Sequence, residues 1–195
     1  PVITATQMLL SMVKNPLPTR AEATDVANAV LDGTDAVMLS EETAIGDHPA
    51  DCVRMMDRIL AETEPLLRTR DEEPGSATDD VIAWAACEVA ERIGAQALIV
   101  PTASGFTARK VAARRPNIPI IALTPSDSVR RRLSIVWGVT ALAAPWYGDT
   151  AAVLERFREP VRATGLVPAG APVVVTAGWP FSRPGITNLV HVAQA

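Results

Sequence analysis

Cysteine and histidine are scarce in this chain of 195 residues, with two of each. Cys52 and Cys87 stand far apart in stretches of helical pattern, without metal-like spacing. They read as free thiols of a reducing, cytoplasmic compartment, not as a disulfide framework or a zinc site. His48 and His191 have no partner readable from the sequence, and neither is assigned a role. An excess of positive charge is also missing. Eighteen Lys and Arg against 22 Asp and Glu leave a formal net charge of −4, which argues against a nucleic-acid partner. The longest apolar runs are strand-length, so no segment is expected to span a membrane. No basic, then apolar, then small-residue leader is seen, and no internal repeat or low-complexity tract. What is present is 48% hydrophobic and 21% charged sequence, enough to bury a core. The length suits one ordinary domain and part of another.

The pattern changes character twice. Residues 1–6, PVITAT, are a short apolar run, and Asp35 to Ser40, DAVMLS, is a second strand of buried type. Between them Pro18-Thr19 opens a helix. Thr19 is placed to cap it, and Glu22 follows at capping-box spacing. A polar loop is expected over Glu41 to Asp47. A helix from about Pro49 then shows apolar residues at Val53, Met56, Ile59 and Leu60 and fades near Leu67. RTRDEEPGSAT, 68–78, has the composition of a linker.

From Asp79 the sequence alternates helix and strand. A helix runs from Asp79-Asp80 to a stop at Gly94. Strands are expected at Ala97–Pro101, Pro119–Leu123, Val139–Ala143 and Pro172–Thr176. Helices are expected at Gly105–Arg115, Ser126–Ile135 and Thr150–Thr164. Such alternation makes a mostly parallel sheet with helices on its faces. The strand Asn188–Val192 follows its predecessor by only about ten residues, too few for a parallel crossover, so it is read as an antiparallel edge. The expected organisation is 1–67, a linker at 68–78, and a three-layer α/β/α domain with a five-stranded sheet at 79–195.

The opening stretch, PVITATQMLLSMVKNPLPTRAEATDVANAVLDGTDAVMLSEETAIG, resembles the end of the catalytic barrel of the pyruvate kinase family. TASGFTARKVAARRP, IPIIALTP and VVVTAGWPFSRPGITN resemble that family's carboxyl-terminal domain. The resemblance implies that residues 1–67 are the last two βα units of a (βα)8 barrel. It also implies that the chain, which opens on Pro1 without Met, is the carboxyl-terminal portion of a larger enzyme. That enzyme would transfer a phosphoryl group from phosphoenolpyruvate to ADP, giving pyruvate and ATP. The Mg2+ and K+ ligands and the catalytic lysine of the family would lie outside this chain, so no metal ligand is assigned and the isolated chain is expected to be inactive.

The same resemblance implies roles residue by residue. Thr6 matches the family's threonine at the end of barrel strand seven, on a proton path toward the enolate of pyruvate. Ser40 matches the serine ending strand eight, and Glu42 keeps the pattern of the following loop, so Thr6, Ser40 and Glu42 form the candidate catalytic set. Two departures stand out against the common Ser-Gly-Glu-Thr-Ala-Lys-Gly. Glu41 replaces Gly, which argues against positive φ there, and Ile45 replaces a lysine, whose role is not carried over. Arg20 and Asp25 match residues near the contact between neighbouring barrels of a homo-oligomer. In the second module, Thr102, Ser104, Gly105 and Thr107 match a loop that holds the phosphate of a sugar-phosphate or nucleotide effector. Arg183 and Gly185 belong to the second effector loop, beside Trp179 and Thr187. Arg130 to Arg132 read as a solvated helix face. The competing reading is a stand-alone, non-catalytic α/β module that binds a phosphorylated metabolite.

Overall fold

The computed structural model describes residues 1–67, 73–145, 152, 155–179 and 185–195. The chain divides into two compact units, Pro1–Leu67 and Arg68–Ala195.

In the first unit, β1 (Ile3–Ala5) pairs in parallel with β2 (Ala36–Met38), Ile3 opposite Ala36 and Ala5 opposite Met38. The crossover between them is α1 (Arg20–Leu31). Its start follows the sequence signal: the Glu22 amide donates to Thr19 Oγ1 at 3.3 Å, and the Thr19 amide donates to Glu22 Oε2 at 2.8 Å. Together they satisfy two of the amides a helix start leaves unpaired. A single 3₁₀ turn (Leu10–Val13) lies between β1 and α1.

The polar loop expected after β2 is instead one helical turn at its start, α2 (Glu41–Ala44). It forms because the Ser40 carbonyl accepts from the amides of Thr43 and Ala44, and the Glu41 carbonyl from those of Ile45 and Gly46. Then comes α3 (Pro49–Thr63), with a fully buried Cys52. Val53, expected on the apolar face, is exposed. Cys52 takes the inward position, in step with Met56, Ile59 and Leu60. Met8, Leu9, Met12, Val26 and Ala29 complete this small core. Val2, Ile3 and Met38 stay exposed, at 63%, 49% and 46%. A two-stranded parallel sheet with apolar residues in the open is an unfinished layer.

In the second unit, α4 (Thr78–Arg92) is followed by β3 (Leu98–Pro101), α5 (Phe106–Ala112), β4 (Ile120–Thr124), α6 (Asp127–Leu133) and β5 (Val139–Ala143). After them come α7 (Arg158–Ala163), β6 (Pro172–Ala177) and β7 (Leu189–Gln194). The sheet order is β5-β4-β3-β6-β7. All pairings are parallel except β6 with β7, where Pro172 faces Gln194 and Ala177 faces Leu189. The expected mostly parallel sheet with one antiparallel edge is therefore present. The expected start of the last helix, at Thr150, and residues 68–72 of the expected linker lie outside the described residues.

Alternate side chains of the central strands point to opposite faces, and each face has its own core. Leu98, Val100, Ile120, Ala122 and Val174 pack with α4, α5 and α6. Ala83, Ala86, Cys87 and Ala90 let α4 come close to the sheet, and burial pushes the Cys87 thiol up to about 12. Ile99, Ile121, Leu123, Val173 and Val175 pack with Phe157 and Val161. An ionic clamp joins α4 to α5: Lys110 Nζ lies 2.9 Å from Asp79 and 2.6 Å from Asp80, above the Phe106 ring.

All five methionines lie in residues 1–67, and all four tryptophans lie beyond them, so each unit carries its own reporters. The second unit should fold alone because both faces of its sheet are covered. Residues 77–195, excised after Pro74-Gly75-Ser76, should melt in one cooperative transition followed by tryptophan fluorescence. In the whole chain, methionine methyl resonances should collapse at lower urea than the tryptophan signal moves. A gradual melt, or coincident transitions, would contradict this division.

Candidate functional site

Because β1 and β2 run parallel, their carboxyl ends lie side by side. The residues that follow, Thr6 and Gln7 after β1 and Ser40 to Glu42 after β2, line with Leu10 a concavity of about 350 Å³. The backbone at Thr6 and Gln7 is in the left-handed region, with φ of 71° and 55°. For a β-branched residue such as Thr this conformation is strained, at about 1–3 kcal/mol, and persists only where neighbours enforce it. The strained pair sits at the mouth of the concavity, with the Thr6 side chain exposed. Glu41 has no positive φ, in keeping with a residue that replaces Gly.

Glu42 is 1% exposed. Its Oε1 accepts the Leu9 amide at 3.0 Å and its Oε2 the Ser40 amide at 2.8 Å. Burial raises its pKa, but the hydrogen bonds from its own amide and those of Ser40 and Leu9 outweigh this and leave it below the ordinary value of 4.5. Glu22 behaves alike. Burial again opposes, and hydrogen bonds from Ser11 and Thr19 prevail, so its carboxyl too lies below 4.5. It accepts the Ser11 amide at 2.7 Å and the Ser11 hydroxyl. The turn of α2 is held against the 3₁₀ turn as well. The Asp47 amide donates to the Val13 carbonyl at 2.9 Å. A Cβ on Gly46 would lie 2.4 Å from the Glu42 carbonyl oxygen, so only glycine fits.

The structure thus brings Thr6, Ser40 and Glu42 together at one concavity. It does not bring Arg20 or Asp25 there; both are exposed on α1. Sequence reasoning missed Gln7, and it missed Glu22 as a brace for the segment after β1. The capping-box spacing found Glu22, but nothing in the sequence shows that the same carboxylate also reaches Ser11. Among the described residues no group of three or more His, Cys, Asp or Glu could hold a metal ion. The carboxylates of Glu22 and Glu42 are both committed to amides and hydroxyls, so these residues do not fit a metal.

In the second unit the strand order reverses between β3 and β6, and ligand crevices of open α/β sheets lie at such points. Thr102 to Thr107 follow β3 there, and of the connection from β6 to β7 the described residues are 178–179 and 185–188. Thr107 Oγ1 and Thr187 Oγ1, both buried, are 2.7 Å apart and join the two loops. Thr102 Oγ1 accepts the Gly105 amide at 2.9 Å, and Ser104 Oγ accepts the Phe106 amide at 3.3 Å. Gly105 has φ of 79°, and a Cβ there would meet Arg109 Nη1 at 3.0 Å. At the base of the other loop, Asn188 accepts from the Trp179 amide at 2.6 Å and donates to the Trp179 carbonyl at 2.8 Å. Gly185 is exposed with φ of 81°. Arg183 lies outside the described residues.

Two family models match this chain: the pyruvate kinase barrel domain over residues 1–53 and the pyruvate kinase alpha/beta domain over residues 80–193. A pyruvate kinase of Geobacillus stearothermophilus is 46% identical over 198 residues, covering 98% of this chain and 34% of that protein. One from Agrobacterium vitis is 42% identical over 200 residues, covering 100% of this chain and 42% of that protein. One from Clostridium acetobutylicum is 43% identical, with coverage of 98% and 42%. The chain spans between about a third and two-fifths of the length of these relatives.

The depressed carboxyls set a pH dependence. A group whose folded pKa is lowered stabilises the fold above its unfolded value, and that contribution is lost as pH falls through the folded pKa. The urea midpoint of the first unit, read from methionine methyl resonances, should therefore be flat above roughly pH 5 and fall toward pH 3. Glu22→Gln and Glu42→Gln should each flatten that fall. An unchanged slope in both variants would show that these carboxylates are not the titrating groups.

Proposed function

Because this chain belongs to the pyruvate kinase family, we propose that it is the carboxyl-terminal part of an enzyme that moves a phosphoryl group from phosphoenolpyruvate to ADP, an ATP-forming step of glycolysis. The observation that carries this reading is the concavity where the strained Thr6 meets Ser40 at the carboxyl ends of two parallel strands, the place where barrel enzymes keep their chemistry. Departure of the phosphoryl group leaves the enolate of pyruvate, which needs a proton on carbon. The Thr6 hydroxyl can accept a proton from water and pass one on, so it suits the end of a proton path. Ser40 offers a second hydroxyl to the same space.

Mg2+ and K+ would be held by residues of the complete enzyme outside this chain, where metal neutralises charge during phosphoryl transfer. Arg20 and Asp25, exposed on α1, would face a neighbouring subunit of a homo-oligomer in the cytoplasm. The second unit would bind a phosphorylated effector, a sugar phosphate or a nucleotide. The position of the linked Thr107 and Thr187 loops at the switch point favours this. Ser104 and Gly105 would approach the phosphate from one loop, and Arg183 and Gly185 from the other.

The isolated chain should show no turnover with phosphoenolpyruvate, ADP, magnesium and potassium in a coupled assay, since most of the barrel is absent from it. Turnover that survives rigorous removal of host enzyme would contradict this. Ser104→Asp places a negative charge where the effector phosphate would lie. Losing a hydrogen bond to a charged group costs about 1.5–3 kcal/mol, so affinity should fall roughly ten- to a hundredfold. Calorimetric titration with sugar phosphates and nucleotide monophosphates would test this, and equal affinity in both proteins would exclude the loop.

A further inference from the structure

We infer that Glu42 is a positioning residue, one carboxylate that sets the spacing of the two strand ends and holds Thr6 in its left-handed conformation. This rests on the phosphoryl-transfer reading for its kinetic consequence, but not for its geometry.

Thr6 and Gln7 are consecutive non-glycine residues at positive φ. Nothing in their side chains favours that conformation, so it must be imposed from outside. The chain is caught again two residues later, where the Leu9 amide donates to Glu42 Oε1. Leu9 is wholly buried, and its carbonyl accepts the Met12 amide at 2.8 Å, which starts the 3₁₀ turn. Glu22 then holds Ser11, and the Val13 carbonyl receives the Asp47 amide. The segment from Leu9 to Val13 is thus fixed at both ends, and Thr6-Gln7 must cover the distance between it and β1. The other oxygen of the same carboxylate takes the Ser40 amide at the end of β2. One group therefore ties both strand ends, and with them the hydroxyls of Thr6 and Ser40.

The same contacts exclude Glu42 as an acid or base in the reaction. Each oxygen already accepts a backbone amide, and the side chain is 1% exposed. Its lowered pKa agrees, because a proton on this carboxyl would set an O–H against an N–H. Gln at this position has the same shape but only one oxygen, so it can accept one of the two amides and must turn its NH2 toward the other.

The test uses the complete enzyme that contains this chain. In Glu42→Gln, kcat should fall about a hundredfold, since small displacements of a reacting group cost that much, while KM for phosphoenolpyruvate moves less than about threefold. The pH profile should keep its shape. In a Thr6→Val background, Glu42→Gln should cost much less than it does in the wild type, because Thr6 is already gone and only the hold of Glu42 on Ser40 is left to lose. Additive losses, an unchanged kcat, or a vanished acidic limb would each overturn the proposal. The crystal structure of Glu42→Gln supplies a readout free of activity: Thr6 should leave positive φ. Glu42→Asp, which keeps the charge but shortens the reach, should shift Thr6 in the same way and serves if the Gln variant does not fold. Thr6 still at positive φ in the variant would refute the positioning role. An inactive wild type with Thr6 displaced in the variant would instead refute the reaction and leave the positioning role standing.

Discussion

Parallel strands cannot be joined by a tight turn, and each return must cross the sheet through a longer segment. In this chain that constraint decides where chemistry can sit. Every strand that is followed by a parallel neighbour releases its next residues at the same edge of the sheet. Thr6 and Ser40 meet because β1 and β2 run the same way. Thr107, just after β3, touches Thr187, in the connection that leaves β6, for the same reason. Two unlike candidate sites, one in each unit, thus arise from one rule of strand pairing.

The constraint also explains the unequal character of the units. Parallel strands need cover on both faces. In the second unit β3 and β4 are wholly buried between α4, α5 and α6 on one side and α7 on the other, and the sheet ends in a less buried β5 and an antiparallel β7. In the first unit only two strands are present, and Ile3 and Met38 remain in the open. The relatives, of which this chain spans between about a third and two-fifths, are where the rest of such a layer would be expected.

Local signals were readable wherever they act within a few residues. The Thr19–Glu22 box, the stop at Gly94 and the antiparallel last strand could all be read from spacing alone. Signals that act across the chain were not. Sequence placed Val53 inward and read Cys52 as a free thiol without putting it on the apolar face, because a one-residue rotation of a helix face is set by what packs on it. It placed a loop where α2 makes a turn, because that turn is tied down from far along the chain, by the Leu9 amide on Glu42 and by the Val13 carbonyl on the Asp47 amide. The candidate site was legible as residue types through family likeness. Its geometry was not: the strain at Thr6 and the double amide contact of Glu42 depend on pairs separated by up to 33 residues.

In the proposed reaction Thr6, braced through Glu42, would face the reacting carbon. The most direct measurement is a crystal structure of the complete enzyme with pyruvate bound. The methyl carbon of pyruvate should lie beside Thr6 Oγ1, in contact or through one water, with the Glu42 carboxylate still on the amides of Leu9 and Ser40. Pyruvate bound away from Thr6, or a Glu42 carboxylate turned from those amides toward ligand or metal, would contradict it.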